Sequence, residues 1–122
     1  MHISVVSVPV SDQQRAKAYY VDVLGFTVVT EATFGDDLHW IQLAAPGDTQ
    51  VSITLVNWFD EMPAGSLRGL VIDTDDIERD YRVLQDRGAD LPSPPGPQPG
   101  GIFLMLRDPD GNTFALHQEG SF

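Results

Sequence analysis

Cysteine is absent from this chain of 122 residues. Its absence excludes disulfides, zinc thiolates, iron–sulfur clusters and thiol nucleophiles, so any chemistry must come from histidine, carboxylates, hydroxyls or a bound metal. Serine-nucleophile motifs of the Gly-x-Ser-x-Gly type and glycine-rich phosphate loops are also missing. The single lysine, Lys17, lies on the first predicted helix. The usual sequence signatures of covalent catalysis are therefore not found.

Positive charge is scarce, since 7 Lys and Arg residues stand against 18 Asp and Glu residues, giving a formal net charge of −11. Such a surface repels phosphate backbones and anionic lipids, so we expect no nucleic acid partner. The acidity either serves solubility alone or attracts a cationic ligand.

Long apolar runs are lacking too. No stretch approaches the roughly 18 apolar residues that a membrane span needs, and segment 1–12 lacks the basic start and cleavage site of a signal peptide. With 42% hydrophobic residues the chain can still build a core, and its length suits one domain. We therefore expect a soluble cytoplasmic protein with no membrane partner.

Two halves of the sequence repeat one pattern of strands and a helix. The first half predicts a strand over 4–10, a helix over 13–23 and strands over 26–31, 39–44 and 50–57. The second half begins with a strand over 70–72 and a helix over 77–87. Capping and turn residues recur at offsets of 63 or 64 positions, in the pairs Asp12 and Asp76, Gly25 and Gly88, and Pro46 and Pro109. This period is too long for a solenoid and indicates two βαβββ modules in a single domain.

The expected boundaries are module one over 1–57, a linker over 58–67 and module two over 68–122. Segment 91–101 contains five of the nine prolines, so it cannot form a helix or a central strand. We predict that it is a stiff, semi-extended loop at the edge of the second sheet.

Five short motifs occur in a fixed order: Val10-Ser11-Asp12, Val23-Leu24-Gly25-Phe26, Asp75-Asp76-Ile77, Leu84-Gln85-Asp86-Arg87-Gly88 and Asp108-Pro109-Asp110-Gly111-Asn112. In these motifs the chain resembles the vicinal oxygen chelate superfamily, which contains glyoxalase I, extradiol dioxygenases, fosfomycin-modifying enzymes and bleomycin-resistance proteins. The resemblance implies an α+β fold of two paired βαβββ modules, whose curved mixed sheets surround a concave cup, usually in a homodimer. For the last motif, a tight turn between strands is a sufficient explanation.

Enzymes of the vicinal oxygen chelate superfamily hold a divalent metal with His, Glu or Gln side chains on corresponding strands. The resemblance places such ligands seven residues before each helix-capping aspartate and three residues after Asn112. The corresponding positions, with the first-module counterpart of the last one, are Val5, Gly69, Ala115 and Ser52. These residues lack the donors that a divalent cation needs, so we expect no metal and no other cofactor.

Histidine offers a substitute ligand at one position. His117 lies two residues beyond Ala115 and faces the same side of its strand. It is a displaced metal ligand, a hydrogen-bonding group for a bound molecule, or a satisfied polar residue at the rim of the cup. Asp73 could pair with it as an acid–base site, or could simply belong to the acidic approach to the second helix. His39 alternates with Trp40 and is expected on the helix-packed side.

Alternate residues of the predicted strands line the cup. Small side chains form its floor, aromatic and methionine side chains its walls. The predicted ligand-binding residues are Ser7, Trp40, Gln42, Ser52, Thr54, Trp58, Phe103, Met105 and His117. Trp58 and Phe59, at the joint between the modules, could stack on a ligand or on a dimer partner. This lining suits a flat, partly apolar molecule better than a reactive centre.

The sequence thus favours a metal-free protein that sequesters a small organic molecule, as the bleomycin-resistance branch does. The ligand would be flat and partly apolar, and cationic if the acidic surface takes part. The rival hypothesis is a lyase, isomerase or dioxygenase of the same superfamily that uses displaced metal ligands or acid–base groups. A third is an interaction module whose sheet face only dimerises.

Overall fold

Each half of the chain forms a four-stranded mixed sheet with one helix, in a computed structural model that describes residues 1–120. The first half contains β1 (Val5–Pro9), α1 (Gln13–Ala18), β2 (Thr27–Phe34), β3 (Leu38–Ala44) and β4 (Ser52–Val56). The second half contains β5 (Leu70–Asp73), α2 (Ile77–Asp86), β6 (Gly96–Gln98), β7 (Gly101–Arg107) and β8 (Thr113–Glu119). A π-helical turn over Tyr19–Val23 extends α1. The predicted βαβββ order is confirmed in both halves.

The two sheets have the same strand order, β1-β4-β3-β2 and β5-β8-β7-β6. In each sheet the first and last strands of the half pair in parallel, and the remaining neighbours are antiparallel. The repeat seen in the sequence is therefore a repeat of topology. Within residues 1–120, neither helix is both long and apolar enough to cross a membrane.

Segment 91–101 lies at the edge of the second sheet, as predicted, but part of it is a strand. Gly96–Gln98 forms β6, which pairs with β7 through Gly96 opposite Phe103 and Gln98 opposite Gly101. Proline is tolerated on an edge strand because one side of that strand needs no backbone donor. The prediction of a loop was therefore wrong for these three residues and for Gly101, which begins β7.

The helices begin and end at the residues that mark the repeat. Asp12 Oδ1 accepts a 3.0 Å hydrogen bond from the Arg15 amide, and Asp76 Oδ1 accepts an equal one from Arg79. These side chains satisfy amides that the first helical turn leaves free. Gly25, with φ of 80°, follows the π-helical turn in the left-handed conformation that glycine adopts most readily.

One hydrophobic core joins the helix-covered faces of both sheets. At its centre the Tyr20 ring stacks on Phe114 at 6.1 Å and meets the edge of Phe26 at 5.4 Å. Tyr20 and Phe26 belong to the first half and Phe114 to the second, so the core crosses the boundary between the halves. Burial of these rings is a main source of stability.

The turn after β7 does more than reverse the chain. Asp108 and Asn112 are 3% and 0% exposed, and Asp108 Oδ2 accepts hydrogen bonds from the Tyr20 hydroxyl at 2.9 Å and from Asn112 Nδ2 at 2.7 Å. Asn112 also donates to the carbonyl of Pro9 at 2.7 Å and accepts from the amide of Leu67 at 3.0 Å. A tight turn is thus an incomplete explanation of the motif, because its side chains also bind the first half to the second.

Candidate functional site

Strand register separates a core face from an open face in each sheet. In the first sheet, Val5 pairs with Ser52, and Ser7 and Gln42 both pair with Thr54. These residues alternate with the core residues of the same strands, so they share the opposite face. We call this set, Val5, Ser7, Trp40, Gln42, Ser52 and Thr54, the first open face.

The second sheet is divided in the same way. Ala115 pairs with both Val71 and Met105, and His117 pairs with both Asp73 and Phe103. Leu104, Leu106 and Leu116 alternate with these residues and point into the core. The second open face therefore consists of Val71, Asp73, Phe103, Met105, Arg107, Ala115 and His117.

Three aromatic side chains lie in contact beside the first open face. The Trp40 and Trp58 rings are nearly parallel, with centroids 6.2 Å apart and planes inclined by 25°. Phe59 lies 5.9 Å from Trp58 with its plane tilted by 49°, and it is 45% exposed. Trp40 Nε1 donates to Gln42 Oε1 at 3.1 Å, which fixes the orientation of the indole. The structure thus brings Trp40, Gln42 and Trp58 together as an apolar wall with one polar group.

The second open face has its own aromatic group. The Phe103 and His117 rings lie 4.7 Å apart, and a cavity of about 510 Å³ lies over Phe103 and Met105, beneath the proline-rich segment. Pro94, Gly96, Gln98 and Pro99 complete its lining with Ser93. Met105 and Val71 are 39% and 49% exposed and lie on either side of Ala115. The predicted residues Phe103, Met105 and His117 are therefore brought together here.

The predicted ligand-binding residues thus form two groups within one chain. The contacts described above run within each sheet and the adjoining linker: Trp40 to Gln42 and Trp58 in the first group, and Phe103 to His117 in the second. Ser7, Ser52 and Thr54 lie on this side of the first sheet by register, but Thr54 is only 1% exposed and is not accessible to a ligand in this structure. Ser52 of the first open face and Val71 and Asp73 of the second also line one cavity of about 440 Å³.

The structure corrects one of the four positions at which the superfamily would hold a metal. Val5 pairs with Ser52 in the first sheet, and the equivalent partner of Ala115 in the second is Val71. Gly69 precedes β5 and is not its counterpart. The prediction was wrong because five positions separate Val71 from the capping Asp76, whereas seven separate Val5 from Asp12.

The corrected positions do not fit a metal. Valine and alanine have no donor atom, and the serine hydroxyl is a weak ligand by itself. Within residues 1–120, no group of three or more His, Asp or Glu side chains is placed to hold an ion. A divalent cation of the kind that the fold family binds therefore has no adequate donor set on these faces.

Both ring nitrogens of His117 are already paired. Nδ1 lies 2.8 Å from Asp73 Oδ1 and Nε2 lies 2.9 Å from the carbonyl oxygen of Gly100. Both partners are acceptors, so the imidazole satisfies them only when both nitrogens carry protons. The Gly100 carbonyl, followed by the Asp73 carboxylate, accordingly raises the pKa of His117 above its ordinary value. In this arrangement His117 is a satisfied polar residue and offers no lone pair to a metal or a substrate.

His39 lies on the helix-packed side of β3, as predicted. Its Nε2 is 2.9 Å from Glu31 Oε2, and its Nδ1 is 2.9 Å from the Thr33 hydroxyl. Lys17 binds the other carboxylate oxygen of Glu31 at 2.6 Å. Hydrogen bonds from Lys17 and then His39 lower the pKa of Glu31 to about 2. This ionic group lies outside both open faces.

Comparisons with known proteins agree with this geometry. The model of the Glyoxalase/Bleomycin resistance protein/Dioxygenase superfamily matches residues 2–116. The crystal structure of TnmS3, an antibiotic binding protein from Streptomyces sp. CB03234, is 42% identical with a TM-score of 0.89, over 98% of this chain and 97% of that one.

Two further solved structures are similar along nearly the whole chain. A glyoxalase/bleomycin resistance protein from the same Streptomyces strain is 43% identical, with a TM-score of 0.84, over 96% of this chain and 100% of that one. A superfamily member from Sphaerobacter thermophilus DSM 20745 is 30% identical, with a TM-score of 0.88, over 98% of both chains.

Proposed function

Because this chain belongs to the Glyoxalase/Bleomycin resistance protein/Dioxygenase superfamily, we propose that it binds and sequesters a small organic molecule without transforming it. The observation that carries this proposal is the set of side chains at the metal-ligand positions. Val5, Ser52, Val71 and Ala115 leave these positions small or apolar, beside aromatic walls. A face of this composition gains affinity by burying apolar surface and has no donor set for activating a substrate.

The aromatic walls define the ligand as flat and partly apolar. Trp40 and Trp58 present nearly parallel rings, and Phe103 and Met105 present apolar surface on the second open face. Offset stacking of a planar ligand on such rings adds roughly 0.5–1.5 kcal/mol for each pair beyond area burial. The likeness to TnmS3, described as an antibiotic binding protein, supports an antibiotic-like natural product as the ligand. The net charge of −11 would favour a cationic one.

We further propose that the two open faces meet in a homodimer. The strands of the two halves form sheets of equal strand order, and each sheet has one face that is not covered by the core. A two-fold axis would place the first open face of one copy opposite the second open face of the other. Exposed apolar residues such as Val71, Met105 and Phe59 would then be covered by the second copy and by the ligand.

Calorimetric titration with daunorubicin, a planar cationic quinone, tests the binding function. We expect saturable binding, and recovery of the unchanged compound by mass spectrometry after prolonged incubation. Trp58→Leu should weaken binding by roughly tenfold because it removes one ring of the stack. Tyr81→Leu, on α2 and outside both open faces, is the matched control and should change the affinity by less than about twofold.

Three results would contradict the proposed function. One is a time-dependent product of different mass. Another is stoichiometric Mn²⁺, Ni²⁺ or Zn²⁺ binding that His117→Ala abolishes. A third is an equal effect of Trp58→Leu and Tyr81→Leu on daunorubicin affinity. Sedimentation of the protein as a monomer at micromolar concentration would count against the dimer alone.

A further inference from the structure

A cleft of about 510 Å³ lies on the core side of the molecule, between the end of the first helix and the length of α2. Its apolar lining comes from both halves of the chain and consists of Leu24, Phe26, Ile72, Leu84, Leu106 and Leu116. The volume is within the range of small-molecule binding sites. Neither open face includes these residues.

The second sheet separates this cleft from the proposed ligand site. Leu116 lines the cleft, whereas its neighbours Ala115 and His117 lie on the second open face. In β7, likewise, Leu106 lines the cleft and its neighbour Met105 lies on the second open face. Successive side chains of a strand point to opposite faces, so apart from Asp73 the cleft and the open faces share no lining residue.

Each carboxylate around the cleft has a hydrogen-bonding or ionic partner. Arg79 lies 3.1 Å from both Asp75 and Asp80, and Asp73 lies 2.8 Å from His117. Thr74 also donates its hydroxyl proton to Asp80. The guanidinium of Arg79 is therefore shared between two carboxylates and has no donor to spare for a ligand.

Arg87 is different. It lines the cleft at the end of α2, and within residues 1–120 its side chain makes no hydrogen bond or ion pair. The guanidinium lies against Gly25, since a Cβ built on that glycine would come within 2.9 Å of Arg87 Nη1. The mouth of an apolar cleft thus presents a cation with its donors free. Guanidinium groups bind carboxylate, sulfonate and phosphate groups through paired hydrogen bonds.

We propose that this cleft is a second binding site, which takes a small molecule with an apolar body and one anionic group. The body lies on the leucine and phenylalanine floor, and the anionic group pairs with Arg87 at the rim. This site goes beyond the proposed function, because its lining shares only Asp73 with the open faces and its proposed ligand is anionic.

A pair of probes with a common aromatic body tests the site. One is 8-anilinonaphthalene-1-sulfonate, and the other is N-phenyl-1-naphthylamine, which lacks the sulfonate. Arg87→Gln should weaken the sulfonate probe by roughly tenfold and the uncharged probe by less than about twofold. Arg82→Gln, on the same helix and outside the cleft, should change neither. Val83→Trp, at a half-exposed lining position, should weaken both probes by occupying the cleft.

The outcomes separate this site from the proposed function. Phe103→Ala alters the open face and should leave sulfonate affinity unchanged. The second site is wrong if the native protein does not bind the sulfonate probe, or if binding responds to Phe103→Ala and not to Val83→Trp. It is also wrong if Arg87→Gln lowers the melting temperature without changing affinity, because Arg87 would then be only a helix-end contact. None of these results changes the conclusion drawn from daunorubicin binding, which tests the open faces.

Discussion

The Tyr20 hydroxyl donates a 2.9 Å hydrogen bond to the Asp108 carboxylate, although 88 positions separate the two residues. Tyr20 is 1% exposed and Asp108 is 3% exposed, so the bond lies inside the core shared by the two halves. Burial, together with the neighbouring carboxylate, raises the pKa of Tyr20 far above its ordinary value. The neutral phenol is therefore a permanent donor to this carboxylate at physiological pH.

Tyr20→Phe tests the contribution of this bond to stability. We expect the free energy of unfolding in urea to fall by about 1–3 kcal/mol, because a buried carboxylate oxygen loses a donor while the ring remains. Tyr81→Phe is the matched control. The Tyr81 hydroxyl accepts a hydrogen bond from Gln85 at the surface, so its loss should cost less than about 0.5 kcal/mol. Equal losses in the two variants would show that the hydrogen bond to Asp108 contributes no more stability than a surface hydrogen bond.

Gly101→Ala tests the close approach of β7 to β8. Gly101 has φ of 149°, and a Cβ there would overlap the carbonyl oxygen of Gln118. We expect a loss of at least about 2 kcal/mol in urea unfolding, because a backbone atom must move. Gly96→Ala is the control, since Gly96 has open space around it and no positive φ. A loss no larger than that of Gly96→Ala would contradict the predicted overlap.

His117 should make stability depend on pH. Its pKa is raised above 6.5 by the Gly100 carbonyl and then by Asp73, with Glu119 contributing less. A raised pKa in the folded state means that this stabilisation is complete below the unfolded value and disappears as pH rises through the folded value. The free energy of unfolding in urea should therefore fall over that pH interval in the native protein, and this fall should be absent in His117→Gln.

Nuclear magnetic resonance titration of His117 provides the direct measurement. Asp73→Asn should lower the pKa of His117, because it removes a negative acceptor and keeps the shape of the side chain. An unchanged pKa in Asp73→Asn, or identical pH profiles for the native protein and His117→Gln, would contradict the predicted pairing.

The stability that Glu31 contributes should depend on pH in the opposite direction and be lost as pH falls. Its pKa is lowered to about 2 by Lys17 and then His39, from an ordinary value of 4.5. The associated stability is present above 4.5 and is lost as pH falls towards the folded value. Because Lys17 and Glu31 are 31% and 27% exposed, solvent screening limits the effect of Lys17→Met to about 0.5 kcal/mol at neutral pH.

Carbon-detected titration of Glu31 in Lys17→Met checks this effect, since its pKa should rise towards the ordinary value. Arg82→Met removes a positive charge that makes no contact with Glu31 and should leave that pKa unchanged. A Glu31 pKa unaffected by Lys17→Met would contradict the assignment of Lys17 as the main cause.

The sequence predicted elements and faces well because both depend on local periodicity and capping. Asp12 and Asp76 cap the helices as expected, and strand alternation placed Trp40, Gln42, Phe103 and His117 on the open faces. These features depend on neighbours within a few positions.

Three features of the structure could not be predicted from local periodicity and capping. Val71, and not Gly69, lies opposite Ala115, because the parallel register joins two strands that are 44 positions apart in the sequence. The buried role of Asn112 depends on Pro9, 103 positions away. The pairing of His117 with Gly100 depends on how the proline-rich segment folds back. All three are long-range contacts, for which a single sequence contains no direct signal.

The shared core has a consequence for how this protein can diversify. The residues that hold the halves together, such as Tyr20, Asp108 and Asn112, lie on one side of the sheets, and those proposed to meet a guest lie on the other. Substitutions at exposed outer positions such as Val71 and Met105 leave these contacts between the halves in place. Such a chain can acquire a new guest through a few exchanged side chains at those positions.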